Sequence, residues 1–375
     1  MVDKKRLIKL TQELIRINSE NPPGDESLIA RFVQKYLQGL GFKSRICEFK
    51  KRRPNVIAII EGKNKKNSLL ITPHLDTVPA GKSWRMNPFL GTTRGNKIYG
   101  LGATDCKGNL ACALEVLHSL AEDRVKLNYN LIFAATSDEE SGSGLGIIPL
   151  LDKGILKPSA ALVLDSDDFK IIVTQKGLIH LKLKIQGQRA HGAYPWRGEN
   201  AIDITLGVLK ELKKRTLGYK KNKYLMPPTM NIGTIKGGDK VNVVADWCET
   251  EIDFRFLPHS KAQEILKQLR QIVRKYTNKF KIEIEGVQRP YFIKESHPLV
   301  AGLRAAMRSQ KIKPVIAGSE GATVITFFQN KSIPAVATGF GCGGCAHTAD
   351  EYVKIEDLYK GAKVLEEFLK KYRFN

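Results

Sequence analysis

Cysteine is scarce: Cys47, Cys106, Cys112, Cys248, Cys342 and Cys345 are the only six in 375 residues. They are too dispersed for the disulfide framework of a small secreted domain and read as reduced thiols. Long apolar runs are missing as well, since nothing approaches the ~18 consecutive apolar residues of a membrane span. The N-terminus, with Lys4, Lys5 and Arg6 leading into an amphipathic stretch, lacks the compact apolar segment and cleavage site of a secretory signal. A cytoplasmic protein with no membrane partner is expected. The 32 glycines and 16 prolines follow no repeat period, which excludes a fibrous chain, and 42% hydrophobic residues exclude a disordered one. Acidic residues are outnumbered, 38 against 61 Lys plus Arg, for a net charge of +23. The basic residues are spread along predicted helices and loops, as at 50–53 and 63–66, and no nucleic-acid-binding module accompanies them. A solvated basic surface without a nucleic-acid partner is therefore expected.

The first 170 or so residues alternate helical and strand periods, the pattern of an α/β domain with a mostly parallel sheet. Leu7, Leu10, Leu14 and Ile17 mark one amphipathic helix, and Leu28, Phe32, Tyr36 and Leu40 a second. Apolar runs at 56–60, 69–71, 131–135 and 161–164 read as buried strands, with a helix over 109–121 among them. Near Lys176 the period changes. Over 180–186, Leu181, Leu183 and Ile185 alternate with His180, Lys182, Lys184 and Gln186, as in a sheet wet on one face. A helix at 201–212 with Ile202, Leu206 and Leu209, strands near 229–235 and 245–256, a helix at 260–276 and a strand at 279–285 complete the order β-α-β-β-α-β of a ferredoxin-like unit. The first style then returns. The organisation predicted is one α/β domain built from 1–175 and 288–375, interrupted by an inserted unit at 176–287.

Acidic and imidazole side chains gather just beyond the predicted strand ends, where open α/β sheets bind ligands. His74 and Asp76 follow one strand, Glu139 and Glu140 another, Asp165 a third and His347 a fourth, while Asp105 precedes a helix. At i and i+2, the Asp76 carboxylate can take a ring N–H of His74 and aim the other nitrogen. A mixed set of imidazole nitrogen and carboxylate oxygen suits Zn²⁺, with Co²⁺ or Mn²⁺ as substitutes, and this set suffices for two ions if one carboxylate bridges. Of the adjacent Glu139 and Glu140, one can bind metal while the other takes a proton.

The motifs around His74-Leu-Asp76, Gly100-Leu-Gly-Ala-Thr-Asp105, Ser137-Asp-Glu-Glu140, Ala190-His191-Gly-Ala-Tyr-Pro and Ala346-His347-Thr-Ala-Asp-Glu-Tyr occur in order along nearly the whole chain. Together they resemble the di-zinc aminoacylase and carboxypeptidase family, which includes acetylornithine deacetylase, succinyl-diaminopimelate desuccinylase and several dipeptidases. The resemblance implies a zinc-peptidase-like catalytic domain and an inserted lid or dimerisation domain. It implies two zinc ions per chain, one on His74, Asp105 and Asp165, the other on Asp105, Glu140 and His347, with Asp105 bridging. Asp76 would orient His74, and Glu139 would take a proton from a metal-bridging water and return it to the leaving amine. His191 would serve the active site of a partner subunit in a homodimer, and Asn242 and Arg255 would bind substrate. The implied reaction is hydrolysis of an N-acyl amino acid, or of a short peptide as in the dipeptidases and carboxypeptidases. Asp165 stands where the deacetylases usually carry Glu, Glu320 interrupts a segment tied to acyl recognition, and Cys342-Gly-Gly-Cys345 is unusual.

Overall fold

The computed structural model describes residues 1–214, 219–321 and 323–374. The chain forms two compact units. One comprises Met1–Val173, Ile293–Ala317 and the segment from Thr323; the other comprises Thr174–Phe292 and the segment from Gly318.

In the first unit the apolar runs pair into a central sheet whose order is Ser44–Glu48, Pro54–Ile60, Asn130–Ala135, Ser68–Thr72, Ala160–Leu164, Ala335–Thr338 and Lys170–Gln175. The four middle strands, from Asn130–Ala135 to Ala335–Thr338, run parallel, and the flanking ones are antiparallel. Leu69, Leu70, Ile71, Phe133, Leu162 and Val336 are almost fully buried, as expected where both faces of a sheet are covered. The helix Lys107–Glu122 is buried nearly all round. By contrast, the helices Lys4–Arg16 and Ile355–Lys371 bury one stripe each.

The helix Ser27–Gly39 exists as expected, but its inward stripe is Ile29, Val33 and Leu37, not the neighbouring Leu28, Phe32, Tyr36 and Leu40. Both stripes have i, i+4 spacing, and Leu28 ends 63% exposed. Local periodicity cannot choose between them; the strands beneath do. In Lys4–Arg16, the Asp3 carboxylate caps the helix by accepting from Arg6 N at 2.6 Å. Asp3→Ala is expected to cost about 1 kcal/mol, read from the shift of the urea midpoint.

The second unit carries Gly177–Gln186, Thr229–Gly237, Trp247–Phe256 and Phe280–Gln288 in an antiparallel sheet, ordered second, third, first, fourth. With the helices Ala201–Lys214 and Ala262–Val273 this is the ferredoxin-like arrangement. Leu181, Leu183 and Ile185 face the helices and pack with Val208, Phe254, Leu266, Leu269 and Ile272. The opposite face is a lattice of ion pairs, including Lys182 with Glu249 and Glu251 and Lys184 with Glu283. Leu206, expected in the core, is 53% exposed; Thr205 and Val208 take the buried positions on that helix.

Candidate active site at the carboxyl ends of the parallel strands

Each middle strand hands the chain to a turn that presents one or two polar side chains. Ser68–Thr72 leads to His74 and Asp76, Asn130–Ala135 to Glu139 and Glu140, Ala160–Leu164 to Asp165, and Ala335–Thr338 to the loop bearing His347. Asp105 arrives from the loop ahead of Lys107–Glu122. Because the strands are parallel, all these turns lie along one edge of the sheet.

The geometry is that of two overlapping clusters. His74, Asp105 and Asp165 offer ligand atoms within 4.8 Å of one another, and so do Asp105, Glu140 and His347. Asp105 belongs to both. Its Oδ1 lies 2.9 Å from His74 Nε2 and its Oδ2 3.3 Å from His347 Nε2. Asp165 Oδ1 is 3.8 Å from His74 Nε2, and Glu140 Oε2 is 3.2 Å from His347 Nε2.

His74 Nδ1 meets the main-chain carbonyl of Asp76 at 3.0 Å. A carbonyl only accepts, so Nδ1 carries a proton, and Nε2 is left facing Asp105 and Asp165. The Asp76 carboxylate is farther from the ring, at 3.5 Å. Its closer partners are Asn21 Nδ2 at 2.9 Å and the amides of Glu139 and Glu140, both at 3.1 Å. Asp76 thus orients His74 mainly through its backbone, while its side chain anchors the turn that carries the adjacent glutamates. The i, i+2 spacing predicts the Asp76 carboxylate as the partner of the ring N–H; its main-chain carbonyl holds that place instead.

Burial and the negative charge of Asp165 raise the Glu139 carboxyl well above the ordinary carboxylate range. Asp165 is raised to about 7 by burial and by Asp105. Burial works against a charged His74, yet Cys106, Asp105 and Asp76 raise it well above its usual value. Asp105 and Glu140 raise His347 to about 10. Crowded carboxylates therefore favour positive charge at both imidazoles, which a proton or a divalent cation supplies. Nitrogen and carboxylate donors, three to a cluster with one shared, fit two borderline cations such as zinc.

Three supports escaped sequence reasoning. Arg53, 7% exposed, donates to Glu26 at 2.7 Å and to Asp138 at 2.7 Å, beneath the glutamate turn. Asp138 itself sits in the left-handed region (φ 67°), which an Asp side chain tolerates. Asn21 reaches Asp76 from a segment near the N-terminus. Glu351 accepts three amides from the Asp105 loop. Only the last lies within a motif noted in the sequence.

The family model for peptidase family M20/M25/M40 matches residues 70–371, which spans both clusters. This chain belongs to that family. It is an M20 hydrolase of the metallopeptidase kind. An uncharacterized metallohydrolase from Methanocaldococcus jannaschii is 29% identical, covering 97% of this chain and 98% of its own. Acetylornithine deacetylase from Pasteurella multocida is 27% identical over 91% of this chain and 90% of its own. Among solved structures, aminopeptidase PepT from Bacillus cereus superposes with a TM-score of 0.82 at 22% identity, covering 98% of each chain.

The remaining predicted site residues of this M20 chain lie in its second unit. His191 and Asn242 occupy adjacent loops, joined by a bridge between His191 and Val243 and by Gly192 N donating to the Asn242 carbonyl at 2.8 Å. Arg255 forms a two-pronged pair with Asp253 on its own strand, at 2.9 and 3.0 Å. Glu320 pairs with the buried Lys176 at 2.6 Å. In the first unit Asp167 pairs with Lys170 at 2.6 Å and Asp168 accepts from Gly343 N at 2.9 Å, so both are engaged away from the clusters. All six cysteines are free thiols, and burial pushes Cys106 up to about 12.

Proposed function

We propose that this chain is a co-catalytic zinc amidohydrolase that cleaves the amide of N-acyl amino acids, with Co²⁺ or Mn²⁺ able to replace zinc. The observation that carries the reading is the pair of three-donor clusters sharing Asp105, beside a carboxyl group, Glu139, that belongs to neither. His74, Asp105 and Asp165 would hold one ion and Asp105, Glu140 and His347 the other. Bound there, two divalent cations polarise the scissile carbonyl and acidify the attacking water.

Glu139 accepts the water's proton and then delivers it to the departing amine. A carboxyl group with a raised pKa suits this double duty, since it takes a proton more readily than an ordinary carboxylate and still gives it up to the more basic departing amine. Asp76 anchors the turn that carries Glu139 and Glu140 by accepting from both of their amides. His191 would add a donor to the developing oxyanion, delivered across a homodimer, while Asn242 would bind the substrate and Arg255 would clamp its carboxylate. Arg255 would then exchange its fork with Asp253 for the substrate. The similarity to acetylornithine deacetylase supports an acylated amino acid over a longer peptide, and a cytoplasmic site of action accords with such a substrate.

The test is metal analysis of the purified protein combined with hydrolysis of N-acetyl, N-succinyl and dipeptide substrates, with and without added Zn²⁺. About two metals per chain with one preferred acylated class is the expected result. Preferential dipeptide cleavage would move the substrate to the peptidase side of the family. Absence of metal uptake would sink the reading.

A further inference from the structure

We propose that Glu351 is a positioning residue that locks Asp105 and His347 into one frame, acting through main-chain amides without touching a reacting atom. The inference rests on the reading of Asp105 and His347 as metal ligands.

Glu351 follows His347 by four residues and is 2% exposed. Its Oε2 accepts from Gly102 N at 2.8 Å, and its Oε1 from Thr104 N at 2.7 Å and Asp105 N at 2.9 Å. Three amides of one short loop therefore converge on a single carboxylate, a concavity built for negative charge. Gly102 makes this possible with φ +80°, where a Cβ would also meet Thr77 at 2.8 Å.

The same two segments are stitched at further points. Gly100 N donates to the Glu351 carbonyl at 2.9 Å, and Tyr352 pairs in register with Tyr99. Thr104 Oγ1 donates to the Tyr352 carbonyl at 2.8 Å and accepts from Cys342 N at 3.0 Å. The stretch from Cys342 to Tyr352 is thus closed at both ends on Thr104, the residue preceding Asp105, with His347 in between. His347 holds a left-handed backbone (φ 59°), a conformation that persists only where its surroundings impose it. The spacing between the His347 and Asp105 side chains is set by these ties, and the Glu351 side chain supplies three of them, one to the amide of Asp105 itself.

Glutamine in this place keeps the volume but turns one acceptor into a donor facing at least one of the three amides. The loop must then move by enough to separate two N–H groups, and Asp105 moves with it. The experiment compares wild type, Glu351→Gln and Glu351→Asp as metal-free proteins. Thermal unfolding checks the fold, calorimetric titration with Zn²⁺ reads affinity, and the visible absorption of bound Co²⁺ reads ligand geometry.

Metal-free Glu351→Gln is expected to unfold cooperatively, to bind Zn²⁺ about 10- to 100-fold more weakly, and to show a displaced Co²⁺ spectrum. Glu351→Asp, which keeps the charge on a shorter arm, is expected to recover part of both. Wild-type Zn²⁺ affinity and an unchanged Co²⁺ spectrum in Glu351→Gln would overturn the proposal. So would loss of cooperative folding in metal-free Glu351→Gln with wild-type binding by Glu351→Asp, since Glu351 would then support the fold alone. Failure of wild type itself to bind Zn²⁺ is a separate outcome, which overturns the metal-centre reading on which this one stands.

Discussion

Glu139→Gln is expected to keep about two metals per chain and to lose about 10³-fold in kcat, within the range assigned to a positioned general base. Glu140→Gln is expected to lose metal instead, falling to about one ion per chain because the first cluster remains intact. The contrast is the informative part, since the two glutamates are adjacent in sequence and share an anchor in Asp76. Only Glu140 reaches His347, at 3.2 Å, and only Glu140 belongs to a cluster. Metal analysis and single-turnover rates on the same preparations separate the two effects. Full activity in Glu139→Gln would assign the proton transfer elsewhere, and metal loss in Glu139→Gln would mean that the turn had collapsed.

The second large effect concerns stability. Arg53→Ala is expected to cost about 3 to 5 kcal/mol, because it leaves the buried Glu26 and Asp138 without their shared cation. Burial and the charge of Asp76 already raise Glu26 to about 7, against the pull of Arg53. The folded value exceeds the unfolded one, so Glu26 contributes most favourably below about pH 4.5. That contribution is lost as the pH rises toward 7. Without Arg53 the ionised form loses its partner, and the loss should steepen. Urea unfolding at pH 5.5 and pH 8 checks this: the gap between variant and wild type should widen at the higher pH. A cost under about 1 kcal/mol at both pH values would show that water reaches the site and screens the triad. Because Asp138 begins the glutamate turn, kcat should fall alongside stability.

Much of the fold was legible because it is written locally. Fully apolar runs such as 131–135 and 161–164 announce strands covered on both faces, and the alternation over 180–186 announces a sheet wet on one side. The polar residues that follow these runs are legible for a related reason. In a parallel sheet the same ends of neighbouring strands meet, so residues at corresponding positions converge without further information. His74, Glu140, Asp165 and His347 come together in this way, and Asp105 joins both clusters from the loop ahead of a helix.

What stayed hidden depends on pairing between distant segments. The inward face of Ser27–Gly39 was misread because two stripes have equal helical spacing and only the strands beneath distinguish them. Arg255 has the residue type of a carboxylate clamp, but its fork is closed on Asp253, a neighbour two residues away on the same strand. Arg53, Asn21 and Glu351 reach partners 85, 55 and 246 residues away. No periodicity or short motif encodes such a contact, since a buried charge is tolerable only once its partner arrives. Local sequence dictates the strand and helix types and which side chains gather at the carboxyl edge of the parallel strands. Tertiary structure alone decided which groups hold those side chains still, because desolvated hydrogen bonds acquire their strength only when the surrounding chain has excluded water.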